Sequence, residues 1–177
     1  LQTAATDIAL WNAFKEGDRL AFTELFRRYY NVLMQYGNKL HGDPNLVEDC
    51  IQELFIELWQ SRSRPEVQSV KAYLLRAVKY KIFRVHKKNI QTVAVAEDMA
   101  FQLSHENFIM HREEDGERNK RLIEALSQLP NRQREIMYLK LYQQLSYEEL
   151  SEVMQINYQA ARNLFYQAIK SLRKLLA

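Results

Sequence analysis

The chain has 177 residues, 47% hydrophobic and 27% charged, with a net charge of +3, a balance that suits a soluble protein with one ordinary core or two small ones. Four Gly and three Pro leave few tight turns for a meander or barrel, and no run of 18 apolar residues exists to span a bilayer. Leu1-Gln2-Thr3 offers no signal peptide, and a lone cysteine, Cys50, excludes an internal disulfide framework, so an all-α protein of a reducing, cytoplasmic compartment is expected.

A helical hydrophobic period runs through most of the chain. The first helix is expected from Asp7 to Glu16, stopped by Gly17. Asp18 caps a long second helix, Arg19 to Leu40, which Gly42 ends. Asp43-Pro44 is a strong start signal, because a proline at the first helical position loses no hydrogen bond; the third helix reads from Pro44 to Gln60. Residues 61–68 break the pattern as a loop, and Ser69 opens a fourth helix reaching Lys88. From Asn89 the periodicity weakens and acids accumulate, with room for a short helix from Phe101 to Met110. So long a structureless stretch inside one domain is unusual, which predicts a boundary: an N-terminal domain 1–89, a linker 90–116 and a C-terminal domain 117–177. Such a flexible linker has a coil span of about 30 Å and an extended limit near 95 Å. The last helices are expected at Glu117–Leu129, Asn131–Tyr142, Ser146–Met154 and from Tyr158 to the end.

Charge is distributed in blocks: Lys+Arg minus Asp+Glu is 0 over 1–45, −3 over 46–68, +7 over 69–90, −4 over 91–125 and +3 over 126–177. Alternating blocks suggest separate faces for separate partners. On the third helix, Asp49, Gln52, Glu53, Ile56 and Gln60 line up opposite the apolar stripe, with Trp59 beyond them. A lone apolar anchor within a polar ring suits protein docking, although isolated exposed apolar residues are common. The fourth helix buries Leu74, Leu75, Val78, Ile82 and Val85. It turns Tyr73, Arg76, Tyr80, Phe83, Arg84 and Lys87 outward, with Lys79 at the edge. Cations interleaved with rings serve single-stranded nucleic acid; the alternative packs those rings on the first helix. The intervening loop carries Arg62 and Arg64.

In the C-terminal part, Ser146-Tyr147-Glu148-Glu149 is a capping box opening a short helix; Gln155-Ile156-Asn157 makes the turn and Tyr158 opens a longer helix. Short helix, tight turn and longer helix is the helix-turn-helix plan. Ala161, Leu164, Phe165, Ala168, Leu172 and Leu175 share the inward face of the longer helix, and Gln159, Arg162, Asn163, Tyr166, Lys170 and Arg173 the outward one. Amide and guanidinium groups near the helix N-terminus suit base edges, and the cations beyond suit phosphates; a plain solvated face is the alternative. No Gly-rich phosphate loop, paired Cys/His spacing or Gly-flanked serine occurs, so no catalytic site, cofactor or metal is expected. His105 and His111 beside Glu113, Glu114 and Asp115 read as solvated charge.

Taken together, the motifs resemble the bacterial RNA polymerase sigma factors of the extracytoplasmic-function group. The front half carries Asp18-Arg-Leu-Ala-Phe-Thr-Glu-Leu-Phe26, Val47-Glu-Asp-Cys-Ile-Gln-Glu-Leu-Phe-Ile-Glu-Leu-Trp59 and Ala72-Tyr-Leu-Leu-Arg76. The back half carries Leu129-Pro-Asn-Arg-Gln-Arg-Glu-Ile136 and Leu145-Ser-Tyr-Glu-Glu-Leu150. The resemblance implies two small helical domains and no enzyme activity. It implies a transcription initiation factor whose Asp49, Gln52, Glu53, Ile56 and Trp59 dock on the clamp helices of the core polymerase β′ subunit. Arg62, Arg64, Arg76, Lys79, Tyr80, Arg84 and Lys87 would bind and melt the promoter's minus-ten element. Gln159, Arg162, Asn163, Tyr166 and Lys170 would read the minus-thirty-five element as duplex, and an anti-sigma factor commonly holds such proteins. Members often have Asn where Tyr80 stands, Gly where Gln155 stands, and Gly-Thr-Val-Lys-Ser where this chain has Gln159 to Asn163. A stand-alone helix-turn-helix regulator and a protein-binding helical adaptor are the rival readings.

Overall fold

Local capping sets the helices of the first half. In the computed structural model, α1 (Asp7–Lys15) begins where the Thr6 hydroxyl accepts from Ala9 N, and stops before Gly17, whose φ of +94° suits glycine. Asp18 accepts from Leu20 N and Ala21 N to start α2 (Arg19–Leu40), and Asp43 does the same for α3 (Pro44–Gln60) through Asn45 N and Leu46 N. Ser69 Oγ accepts from Ala72 N at the start of α4 (Val70–Asn89). The structure describes residues 6–61, 65–89, 101–102 and 116–177, apart from the side chains of 87–89 and 116–119. Among these the protein is helical, without a strand, and it divides into two compact units, Leu1–Ala96 and Glu97–Ala177.

The first unit packs α1, α3 and α4 around α2. Its core joins Trp11, Phe14, Leu33 and Tyr36 to Ile51 of α3 and to Leu74, Leu75, Val78 and Ile82 of α4, all essentially inaccessible. Asp7 ties α1 to α2 by accepting from Arg28 Nη1 at 2.9 Å and from the Tyr29 hydroxyl. Arg27 and Arg28 both bond Glu24 and hold its carboxyl down to about 2.

Gly37, buried in mid-helix, lies where side chains of α3 and α4 press close against the α2 backbone. A Cβ there would collide with Val47 Cγ1 and sit 3.2 Å from Ile82 Cδ1. Overpacking of this kind costs about 1–3 kcal/mol, whereas Gly→Ala within a helix returns about 1 kcal/mol. Gly37→Ala is therefore expected to destabilise the first unit by up to about 2 kcal/mol. Urea denaturation would show it, and an unchanged midpoint would mean that Val47 can move aside.

The second unit contains α5 (Gly116–Ser127), α6 (Asn131–Met137), α7 (Tyr147–Met154) and α8 (Tyr158–Leu176). The helix expected over Asn131–Tyr142 is α-helical only to Met137; Tyr138–Tyr142 widens into a π-helical turn that ends with Gln143 N donating to Tyr138 O at 3.1 Å. The buried Gln143 amide then reaches the Tyr138 hydroxyl at 2.9 Å. Burial pushes the Tyr138 phenol well above its ordinary value.

Phe101, expected to open a short helix in the linker, lies outside any helix and is buried. Its ring packs 5.6 Å from that of Tyr138, and its backbone N donates to Asn131 Oδ1 at 3.3 Å. Residues 103–110 of that expected helix, together with His105, His111, Glu113, Glu114 and Asp115, lie outside the described residues.

Candidate partner-docking and nucleic-acid surfaces

The period of α3 separates its two faces as expected. Val47, Cys50, Ile51, Leu54, Phe55 and Leu58 are buried, while Asp49, Gln52, Glu53, Ile56 and Gln60 are exposed. Ile56 stands out at 54% exposure. Beside it lies a groove of about 580 Å³ walled by Phe22, Phe26, Phe55, Ile56 and Trp59, with Thr23, Gln52 and Gln60 at the rim. Trp59 is half-buried rather than free: its ring lies 5.0 Å from Phe22 and 6.3 Å from Phe14, with the Arg19 guanidinium 5.9 Å away. It belongs to the aromatic floor beneath the strip. The groove itself escaped the sequence reading, because Phe22 and Phe26 come from α2 and one helix's period cannot show what two helices enclose.

On α4, Leu74, Leu75, Val78 and Ile82 are buried, Val85 is half-buried near the helix end, and Tyr80 and Arg84 are exposed, Tyr80 to 62%. The ring of Phe83 is half-buried, with Lys79 Nζ 5.6 Å from its centroid. Tyr73 takes the other course: it packs edge-on against Trp11 of α1 at 5.2 Å and carries the Arg76 guanidinium at 5.7 Å. The packing alternative thus applies to Tyr73 and not to Tyr80. Arg62, Arg64 and the side chain of Lys87 lie outside the described residues.

Lys81, which the outward face did not include, counts in the +7 block but not at the surface. It is turned inward, and its Nζ lies 3.1 Å from Glu53 Oε2 and 2.8 Å from Glu57 Oε1. One charge of the +7 block is thereby spent on joining α4 to α3. Counting charges along the sequence could not show this, but register could: Lys81 falls between Val78 and Ile82 on the apolar half of the helix. Glu53, expected to dock a partner, also holds this buried cation, so reversing its charge would disturb packing as well as the surface.

The helix-turn-helix forms as expected. Ser146 Oγ accepts from Glu149 N and Glu149 Oε2 accepts from Ser146 N, closing the capping box of α7. Gln155 makes the turn with φ of +52°, a left-handed conformation in which glycine is the commoner residue. Asn157 Oδ1 then accepts from Ala160 N to start α8. Ala161 and Ala168 are buried, Leu164, Phe165 and Leu172 half-buried, and Leu175, expected inward, is exposed because the last turn of α8 outruns its neighbours. Gln159, Arg162, Asn163, Tyr166 and Lys170 all stand exposed, and Gln159 Nε2 donates to Asn163 Oδ1 at 3.0 Å.

An exposed acidic strip beside an apolar groove, a ring-and-cation helix and a helix-turn-helix in a separate unit are the surfaces expected of a transcription factor that binds both protein and DNA. Residues 25–90 match the Sigma-70 region 2 family and residues 119–172 the Sigma-70, region 4 family. The chain belongs to the sigma-70 family of RNA polymerase sigma factors, in the extracytoplasmic-function group.

The chain is 22% identical to the ECF RNA polymerase sigma factor SigM of Bacillus subtilis (strain 168) over 156 residues, 88% of this chain and 95% of SigM. It is 26% identical to the RNA polymerase sigma factor CarQ of Myxococcus xanthus over 166 residues, 92% and 93% of the two chains. Its fold is similar to that of CnrH, solved in complex with the cytosolic domain of CnrY, with a TM-score of 0.58, 20% identity and 96% of each chain covered. It is likewise similar to the sigma factor RpoE, solved with the anti-sigma factor NepR from Bartonella quintana, with a TM-score of 0.59, 19% identity, and 88% of this chain and 96% of that one covered. The protein is a transcription initiation factor that directs RNA polymerase to promoters. Among the described residues, no helix is long and apolar enough to cross a membrane.

Proposed function

We propose that α3 docks the protein on the β′ clamp helices of core polymerase through Asp49, Gln52, Glu53 and Ile56, with Trp59 supporting the strip from below. Arg62, Arg64, Arg76, Lys79, Tyr80, Arg84 and Lys87 then engage and melt the minus-ten element, and Gln159, Arg162, Asn163, Tyr166 and Lys170 read the minus-thirty-five element as duplex. The domains doing so are 1–89 and 117–177, joined by 90–116. The protein acts in the cytoplasm without catalysing a reaction of its own. The observation that carries the assignment is the exposure of Ile56 and Tyr80, two large apolar side chains on the outward faces of helices whose other faces are closed cores. CnrH and RpoE were each solved with a bound partner, which supports an anti-sigma partner for this chain as well.

Run-off transcription with purified core polymerase and a genomic fragment library tests the proposal. New start sites dependent on the chain are expected; tight binding to duplex DNA without polymerase and without transcripts would favour a stand-alone regulator. In the same assay Arg162→Ala is expected to cost about 1–3 kcal/mol on the preferred upstream element and to relax its sequence preference. An equal loss on all upstream sequences would make Arg162 a phosphate contact.

A further inference from the structure

Arg162 does not stand alone on the outward face of α8. Its guanidinium carbon lies 5.9 Å from the ring centroid of Tyr158, one turn earlier on the same helix. The Tyr158 ring is in turn packed edge-on against Tyr147 of α7, at 5.9 Å and 70°. Tyr147 is itself braced by Phe165 at 6.3 Å and by Lys140 Nζ, 4.6 Å from its ring centroid. Lys140 is fixed by donating to Leu145 O at 2.8 Å. A chain of contacts therefore runs from the π-helical turn through both helices of the helix-turn-helix to the guanidinium.

We propose that Tyr158 is a positioning residue that aims Arg162 at a guanine edge in the major groove. The inference rests on the reading of α8 as the minus-thirty-five reader. A long exposed arginine has many rotamers to give up on binding, and an aromatic platform removes part of that cost beforehand. A guanidinium held over a ring at 5.9 Å is restrained without a hydrogen bond to the ring hydroxyl, and a two-pronged donor matches O6 and N7 of guanine. Tyr158 is 43% exposed, so the platform stands at the surface where the duplex would lie. The ring supplies this effect, and the hydroxyl does not.

The test selects upstream elements from a randomised duplex library, using the full chain assembled with core polymerase. Wild type, Arg162→Ala, Tyr158→Phe and Tyr158→Leu are compared, the leucine retaining apolar packing against Tyr147 without a π face. Arg162→Ala is expected to level the guanine preference at one position. Tyr158→Leu is expected to weaken that preference about two- to fivefold at the same position and nowhere else, the fold-change of an exposed cation–π contact. Tyr158→Phe should retain it. Unchanged preference in Tyr158→Leu overturns the proposal, and so does an equal weakening at every position or the same loss in Tyr158→Phe. If Arg162→Ala levels no position, the reading of α8 falls and the proposal with it.

Discussion

Ile56→Arg is expected to weaken binding to core polymerase at least about a hundredfold, or about 2.7 kcal/mol, while the thermal midpoint stays within a degree or two. The two effects separate because Ile56 lies outside the core and at the edge of the groove walled by Phe22, Phe26, Phe55 and Trp59. Exposed substitutions away from caps and networks usually stay within about 0.5 kcal/mol for folding. A central apolar anchor in a polar ring can carry 2 kcal/mol or more of binding, and an arginine there adds a buried charge to the loss. Glu53→Lys is a less clean probe, since it sets a second ammonium against Lys81. Glu53→Gln leaves Glu57 to hold Lys81 and tests the carboxylate alone. A fluorescence-anisotropy titration against labelled core polymerase would measure all three, and wild-type affinity in Ile56→Arg would move the docking surface off this strip.

Trp11→Ala is expected to destabilise the first unit by about 3–5 kcal/mol, the usual cost of emptying a large aromatic site. Trp11 is 1% exposed, touches Phe14 at 5.4 Å and Tyr73 at 5.2 Å, and donates its indole N–H to Pro65 O at 3.1 Å. It thus anchors three things together: α1, the start of α4 and the far end of the loop before it. Trp11→Phe should cost less, since a ring still packs on Phe14 and Tyr73 while the bond to Pro65 and part of the packing are lost. The chain has only two tryptophans, so Trp59 remains as the fluorescent reporter of the same unit in a urea titration. A loss below about 1 kcal/mol would mean that the site collapses around the smaller side chain.

The helices of the first half were legible almost to the residue because their signals are local. Asp18, Asp43 and Ser69 each cap with their own side chain, and Gly17 takes the left-handed conformation that ends α1. The outward face of α3 was legible for a related reason, since a 3.6-residue period needs no knowledge of partners. What stayed hidden depends on contacts distant in sequence. The groove beside Ile56 needs α2 next to α3. The ion pairs of Lys81 need Glu53 and Glu57 opposite it, and the burial of Phe101 needs Tyr138 and Asn131. The π-helical turn was also missed, because widening by one residue leaves the apolar pattern of Ile136, Met137, Leu139 and Leu145 readable as α.

The docking of Phe101 also limits reach. Covalent geometry alone caps the chain from the end of α4 at Asn89 to Phe101 at about 40 Å, whatever residues 90–100 adopt, against about 95 Å if the tether ran to the start of α5. Longer spans require pulling the ring out of its seat on Tyr138, and re-exposing a phenylalanine costs about 1.5–3 kcal/mol. The anchor therefore works as a calliper with a stop. On the proposed reading, promoters whose two elements fit within the stop are bridged with the ring seated, and each base pair of spacer beyond it adds about 3.4 Å that the docked chain cannot follow. If the two units read the two elements as proposed, tolerance for spacer length is then set by the seat of one aromatic ring on Tyr138.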